Sequence, residues 1–187
     1  SSAASDVYKR QASNNSAFGH LALSANTTGA DNTSVGTSAL TANTTGVDNT
    51  AVGKDALITN TTGHSNTGVG TEVLYANTTG NNNVAIGLNA LDANTVGDRN
   101  VAIGNRALTD FNPSSNADTY NTAVGYEAAK SVTTGTQNNA VGATAGDAIT
   151  TGLYNNVFGY GAGGAVTLLR ASIDGRDAPG RGGDALR

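Results

Sequence analysis

Residues able to make or break bonds are few in this chain, and they do not converge. Its two histidines, His20 and His64, fall at different places in the repeating unit described below, and cysteine is absent, so no zinc or thiolate site is expected. Asp55, Glu72 and Glu127 share one repeat position with Arg106, which reads as an exposed face rather than a pair of catalytic carboxylates. Neither a G-x-S-x-G elbow nor a phosphate-binding glycine loop occurs. Asp31 and Asp48 recur in G-A-D and G-V-D turns, without the G-G-x-G-x-D unit that binds calcium. A non-enzymatic protein without metal or cofactor is the expectation.

Amide chemistry, by contrast, is abundant. An asparagine side chain donates and accepts at once. Asn15, Asn32, Asn49, Asn66, Asn83, Asn100, Asn121, Asn138 and Asn155 recur at a spacing of 17, widened to 21 once, between Asn100 and Asn121. Stacked in register, such residues bond amide to amide, and a structural ladder is their expected role. Asn26, Asn43, Asn60 and Asn77 each open an N-T-T-G; they match the glycosylation pattern, although the turn itself demands those residue types. Tyr75, Tyr126, Tyr154 and Tyr160 are candidate sugar platforms. Phe111 and Tyr120, which lie in an insertion, are candidates to cover a coil edge or to contact a ligand.

The elements that must position these side chains follow from the repeat. A fixed short period marks a stacked architecture before any propensity argument begins. With the opening Asn as position zero, position three is large and apolar in every copy: Phe18, Val35, Val52, Val69, Ile86, Ile103, Val124, Val141 and Phe158. Position two is small and position one is mostly Ser, Thr or Val, a period-two pattern that predicts a short strand. Positions one and three then share a face, expected to be the core, and position two looks away from it. Position four is always glycine (Gly19, Gly36, Gly53, Gly70, Gly87, Gly104, Gly125, Gly142 and Gly159), which suggests a bend at positive φ or an approach too close for a Cβ. Small residues at position seven and Leu at position eight, from Leu23 to Leu108, predict a second short strand near positions six to nine. N-T-T-G closes the unit as a turn, with its glycine in the left-handed conformation. A helix over A-L-x-A-N is ruled out by the flanking glycines. The chain is therefore expected to be all-β, a parallel β-solenoid of about nine 17-residue coils over residues 12–167.

Residues 109–120 hold an insertion of four residues, with Asn112-Pro113 in place of T-T-G; extra residues leave a solenoid at a corner, where function often sits. The last three coils lose Leu at position eight (Ala129, Gly146, Gly163) and gain an apolar residue at position eleven (Val132, Ile149, Val166), so the core filler is expected to move. From 168 to 187 the period is lost, and a poorly ordered tail is expected. Residues 1–11 share nothing with the repeat and resemble one reading frame of a common sequencing-library adapter, as a scar of an environmental read would; they are set aside from fold reasoning.

Net charge is −4, and the repeat body carries Lys54, Arg99, Arg106 and Lys130 against ten acidic residues from Asp31 to Asp147. Such a body offers no footprint for nucleic acid. No apolar run reaches the roughly 18 residues of a membrane span, so no membrane insertion is expected. Each coil supplies only two large apolar side chains against the ordering cost of a whole turn of chain, which favours self-association; the small residues at position two, read as an outward strip, are its expected surface.

Segments such as N-T-A-V-G-K-D-A-L and N-V-A-I-G-N-R-A-L resemble the S-V-A-I-G-x-x-A repeats in the heads of trimeric autotransporter adhesins. The longer unit with N-T-T-G is similar to repeats in bacteriophage tail-fibre proteins. The likeness covers Asn15 to about Thr167, with a longer period than the adhesin heads have. It implies a left-handed β-roll in which this chain is one third of a parallel homotrimer, an extracellular, rigid structural or adhesive fibre segment for attachment to a host or other surface. A host-surface glycan or protein is the implied partner. Two other classes stay open: a carbohydrate-binding module using the tyrosines, and an ice-binding solenoid, which needs regularly spaced Thr on a flat strand, whereas the Thr pairs here lie in a corner.

Overall fold

A computed structural model describes residues 13–164 and the backbone of Ser172–Asp174. In chain order the strands are β1 (Ser16–Phe18), β2 (Thr33–Val35), β3 (Thr50–Val52), β4 (Thr67–Val69), β5 (Val84–Ile86), β6 (Gly97–Asp98), β7 (Val101–Ile103), β8 (Ala117–Asp118), β9 (Thr122–Val124), β10 (Asn139–Val141), β11 (Asn156–Phe158) and β12 (Ser172–Asp174). All but β6 and β8 form one ten-stranded sheet in which every neighbour is parallel and next along the chain. Like repeat positions pair: Val35 with Val52, and Val52 with Val69. The protein is thus a parallel β-solenoid of about eight turns, with no helix among the described residues. Residues 1–11, set aside above, lie outside the described residues. So does most of the tail from 168. Within that tail the backbone of β12 nevertheless pairs in register with β11, Val157 opposite Ile173.

The phase of the strands is the reverse of the expectation. Position two faces inward: Ala51, Ala85, Ala102 and Ala123 are completely buried, as are Ser34 and Val157. The column expected as core lies on the outer face, where Phe18, Val35, Val69, Ile86 and Phe158 are exposed and Val52, Ile103, Val124 and Val141 half-buried. Alternation gives two phases and does not choose between them. The width of the coil chooses: a Cβ on inward-facing Gly68 would stand 2.9 Å from Leu57 Cδ1 and 3.1 Å from Val73 Cγ1. Beside the leucine column only a methyl-sized side chain fits in most coils.

The second strand is absent as well. Positions six and eight take positive φ, as at Asp55 (56°) and Leu57 (51°) or Glu72 (53°) and Leu74 (49°). Left-handed residues every second place turn successive peptide groups in opposite senses, so this corner still bonds both neighbours. Asp55 N–H donates to Thr37 O in the coil before (2.9 Å), and Leu57 N–H to Val73 O in the coil after (3.0 Å). Small–large alternation is common to a strand and to this bent ribbon, which is why the sequence pattern alone reads as a strand. A leucine with positive φ is unfavourable by itself; Leu40, Leu57, Leu74, Leu91 and Leu108 are fully buried there and form the apolar spine.

The interior is otherwise lined by amides. Asn49 Nδ2 donates to Asn32 Oδ1 (3.1 Å) and Gly63 O (2.9 Å), and its own Oδ1 accepts from Asn66 N (3.0 Å) and Nδ2 (3.2 Å). A second column, at position eleven, runs beside it: Asn60 Nδ2 donates to Asn43 Oδ1 (2.8 Å) and to the same Gly63 O (3.0 Å). Both columns meet on the turn carbonyl of each N-T-T-G. The glycine of that turn has no positive φ; the residue two places on does, as at Asp48 (57°) and Ser65 (57°). Gly46 is needed for space instead, since a Cβ there would meet Gly63 O at 2.3 Å and Asn43 Oδ1 at 2.4 Å. The position-four glycines combine both demands, with Gly53 at φ 138° and 2.3 Å between its would-be Cβ and Gly70 O.

Candidate functional site

The insertion ends the position-eleven amide column and re-forms the opening-Asn column beyond it. At position eleven of its coil Phe111 replaces Asn and is fully buried, with Pro113 packed beside it over Gly97. Phe111 is therefore a core residue, neither an edge cover nor a ligand contact. Asn112 Oδ1 accepts from Thr95 Oγ1 (2.7 Å), taking the place of a turn carbonyl. The loop rejoins the stack where β8 pairs with β6, Ala117 opposite Gly97. Thr119 then donates its hydroxyl to Asn100 Oδ1 (2.8 Å), while Asn121 N–H reaches the same oxygen (3.1 Å). In the three coils that follow, Val132 and Ile149 fill position eleven, and Ile149 Cδ1 takes the room left by Gly146, 3.2 Å from where a Cβ would stand; Val166 lies outside the described residues.

This repair places Tyr120 on the rim. Its hydroxyl donates to Asp118 Oδ2 (2.9 Å), and the Arg99 guanidinium carbon stands 5.8 Å from its ring centroid. Arg99 in turn forms an ion pair with Asp118. An aromatic ring tied at its hydroxyl and faced by a cation is oriented rather than free. Two coils further on, Tyr154 occupies the same repeat position, with Gln137 between them. These three, with Asn139 and Asn156 of β10 and β11, line an open recess of about 460 Å³. Asn139 Nδ2 donates to Asn156 Oδ1 (2.9 Å), which fixes both amide planes.

Of the six aromatic candidates, the structure stacks two pairs two coils apart, Tyr120 with Tyr154 and Tyr126 with Tyr160, and the first pair lines the recess. Tyr75 sits at position nine on a separate corner, and Tyr126 and Tyr160 at position five, beyond the glycine bend; all three are exposed. Gln137, Asn139 and Asn156 were missed as site residues. Their signal was a departure from the repeat: position one changes from Thr or Val to Asn in the last two coils, and the position before the opening Asn changes from Asn, Asp, Ser or Arg to Tyr, Gln and Tyr. The sequon asparagines Asn26, Asn43, Asn60 and Asn77 are buried within the second amide column, so in the folded chain their Nδ2 atoms point into the coil and not toward solvent.

The second surface feature is the outer sheet face itself. Its position-three column presents only Val, Ile and Phe from β1 to β11, and its position-one column Ser, Thr, Val and finally Asn, without a charge in either. Uncharged along roughly 40 Å at strand spacing, with an unbroken apolar column at position three, it is the kind of contiguous patch that marks an interaction surface.

No family model, curated protein or solved structure matches this chain, and its functional reading rests on the geometry just described.

Proposed function

We propose that the protein is a non-enzymatic structural and adhesive fibre segment of a phage tail fibre or bacterial surface adhesin. Its copies associate through the outer sheet face as a homotrimer and present a rigid rod, outside the cell, for attachment to a host or other surface. The observation that carries this reading is the uncharged Val/Ile/Phe column running the length of the sheet. A monomer leaves it in water, whereas a parallel copy offers the same column at the same rung spacing. The surface differs from the expected one, because the small residues of position two are interior and unable to serve. Sedimentation equilibrium tests the reading: a trimer at micromolar concentration is expected, and a monomer removes it.

A carbohydrate-binding role is the second reading, favoured by the recess between Tyr120 and Tyr154. For the ice-binding alternative, the outward position-one column begins Ser16, runs Thr33, Thr50, Thr67 and continues Val84, Val101, which breaks the regular Thr array such a surface needs. A thermal-hysteresis measurement is expected to show no activity.

A further inference from the structure

We infer that the recess lined by Tyr120, Gln137, Asn139, Tyr154 and Asn156 binds a neutral, extended oligosaccharide chain lying along the rod axis. The inference deepens the attachment reading above and rests on it for its setting.

The backbone supplies the first argument. Tyr120, Gln137 and Tyr154 have φ of 50°, 60° and 61°, the left-handed region that Asn and Asp adopt most readily and bulky residues adopt at a cost. Other coils meet the same requirement with Asn14, Asp31, Asp48 and Asn82, and with Ser65 and Arg99. The leucines at position eight offset that cost by burial, whereas Tyr120 and Tyr154 remain about half exposed, 47 % and 54 %. A bulky ring held outward at such a backbone position gains no packing to offset its cost, which favours a role at the surface.

The lining chemistry supplies the second. Two aromatic rings with three side-chain amides offer apolar faces for the C–H face of a sugar ring and paired donors and acceptors for its hydroxyls. The nearby charges, Arg99 and Asp118, are engaged with each other, so no free charge selects an anionic sugar. The recess is open, as suits a chain passing through rather than a small molecule enclosed.

Geometry supplies the third. Tyr120 and Tyr154 are two rungs apart, about 10 Å at strand spacing. In an extended β-linked hexopyranose chain each ring advances by close to one rung. A chain parallel to the axis then sets alternate rings against the two tyrosines and the ring between them against Gln137.

The test titrates cellohexaose and chitohexaose into the whole protein by calorimetry, with a sialylated hexasaccharide as the anionic control. Tyr120→Asn and Tyr154→Asn are each expected to weaken binding at least tenfold while leaving the melting temperature unchanged or higher, because Asn suits the left-handed backbone. Tyr75→Ala, on another corner, is expected to bind as the parent does. Binding undiminished in both Asn variants overturns the proposal, and so does a melting temperature that falls in step with binding. Failure of the parent to bind either neutral hexasaccharide, or tighter binding of the sialylated one, overturns it too. Adhesion of the parent protein to intact cells, scored separately, shows whether the attachment reading falls with it or stands alone.

Discussion

At the scale of the residue, the interior asparagines and one half-buried carboxylate decide most. The Asn49 side chain makes four hydrogen bonds, two given and two received, all inside the coil. Asn49→Leu keeps the volume but strands the Asn66 backbone N–H, at roughly 1–3 kcal/mol for an orphaned buried group, while Asn32 Oδ1 keeps the Asn49 backbone N–H and loses only its second donor. A loss of about 1–3 kcal/mol is expected in urea unfolding, whereas Thr50→Ala, one residue on and half-buried, is expected to cost far less. Asp92 behaves oppositely. Burial raises its pKa above the ordinary value, and the neighbouring Asp110 adds to this, while the Asn89 amide, 3.3 Å from Oδ2, works against it. A carboxylate whose pKa is raised on folding holds its proton more tightly in the native state, so its contribution favours folding in acid and is lost as pH rises through the folded value. Asp92→Asn is therefore expected to raise the urea midpoint at pH 7 and to have a smaller effect at pH 3, and an equal effect at both would contradict the assignment.

At the scale of the element, each coil conserves its internal volume by exchange between positions. Where position two drops to Gly68, position seven rises from Ala to Val73, whose Cγ1 lies 3.1 Å from the missing Cβ. Where position two rises to Val157, position eight drops to Gly163, and Val157 Cγ1 again lies 3.1 Å from where a Cβ would be. Gly68→Ala alone overpacks the coil and is expected to cost about 1–3 kcal/mol. Val73→Ala alone opens a cavity. The double variant recreates the small-small pair of neighbouring coils, and its stability is expected to lie well above the sum of the two single losses. Strict additivity in that double-mutant cycle would mean the two positions do not share one space. The insertion follows the same logic with polar groups, Thr119 and Asn112 standing in for an amide and a turn carbonyl.

At the scale of the whole molecule, a repeat stack is stable through its neighbours, and its open sheet face is what remains to be covered. A lysine in the middle of that face, Ile86→Lys, points outward in the single chain and so leaves the coil intact. In an assembly it places a charge against an apolar partner. Sedimentation is expected to show loss of the proposed trimer with β-sheet circular dichroism retained. Retained assembly would move the interface elsewhere on the rod. The recess borders this face and shares Asn139 and Asn156 with it, whereas Ile86 lies in β5 outside the recess, so Ile86→Lys is expected to disrupt self-association and leave sugar binding unchanged.

The sequence by itself determined the coil. A period of 17 with one invariant glycine and one invariant asparagine per turn permits only stacking in register, because like residues must meet for the amide bonds and the glycine contacts to close. What the tertiary structure alone decided was which way each side chain looks and which distant residues become neighbours. Alternation at positions one to three is equally consistent with Val52 inside or Ala51 inside, and only the narrow gap beside Leu57 resolves it. The ribbon at positions six to nine reads as a strand because left-handed φ at Asp55 and Leu57 leaves no trace in residue type. Asn60 reads as a turn residue until stacking buries it in a column. Tyr120 and Tyr154, 34 residues apart in the chain, share a recess because two turns of the coil return them to the same edge.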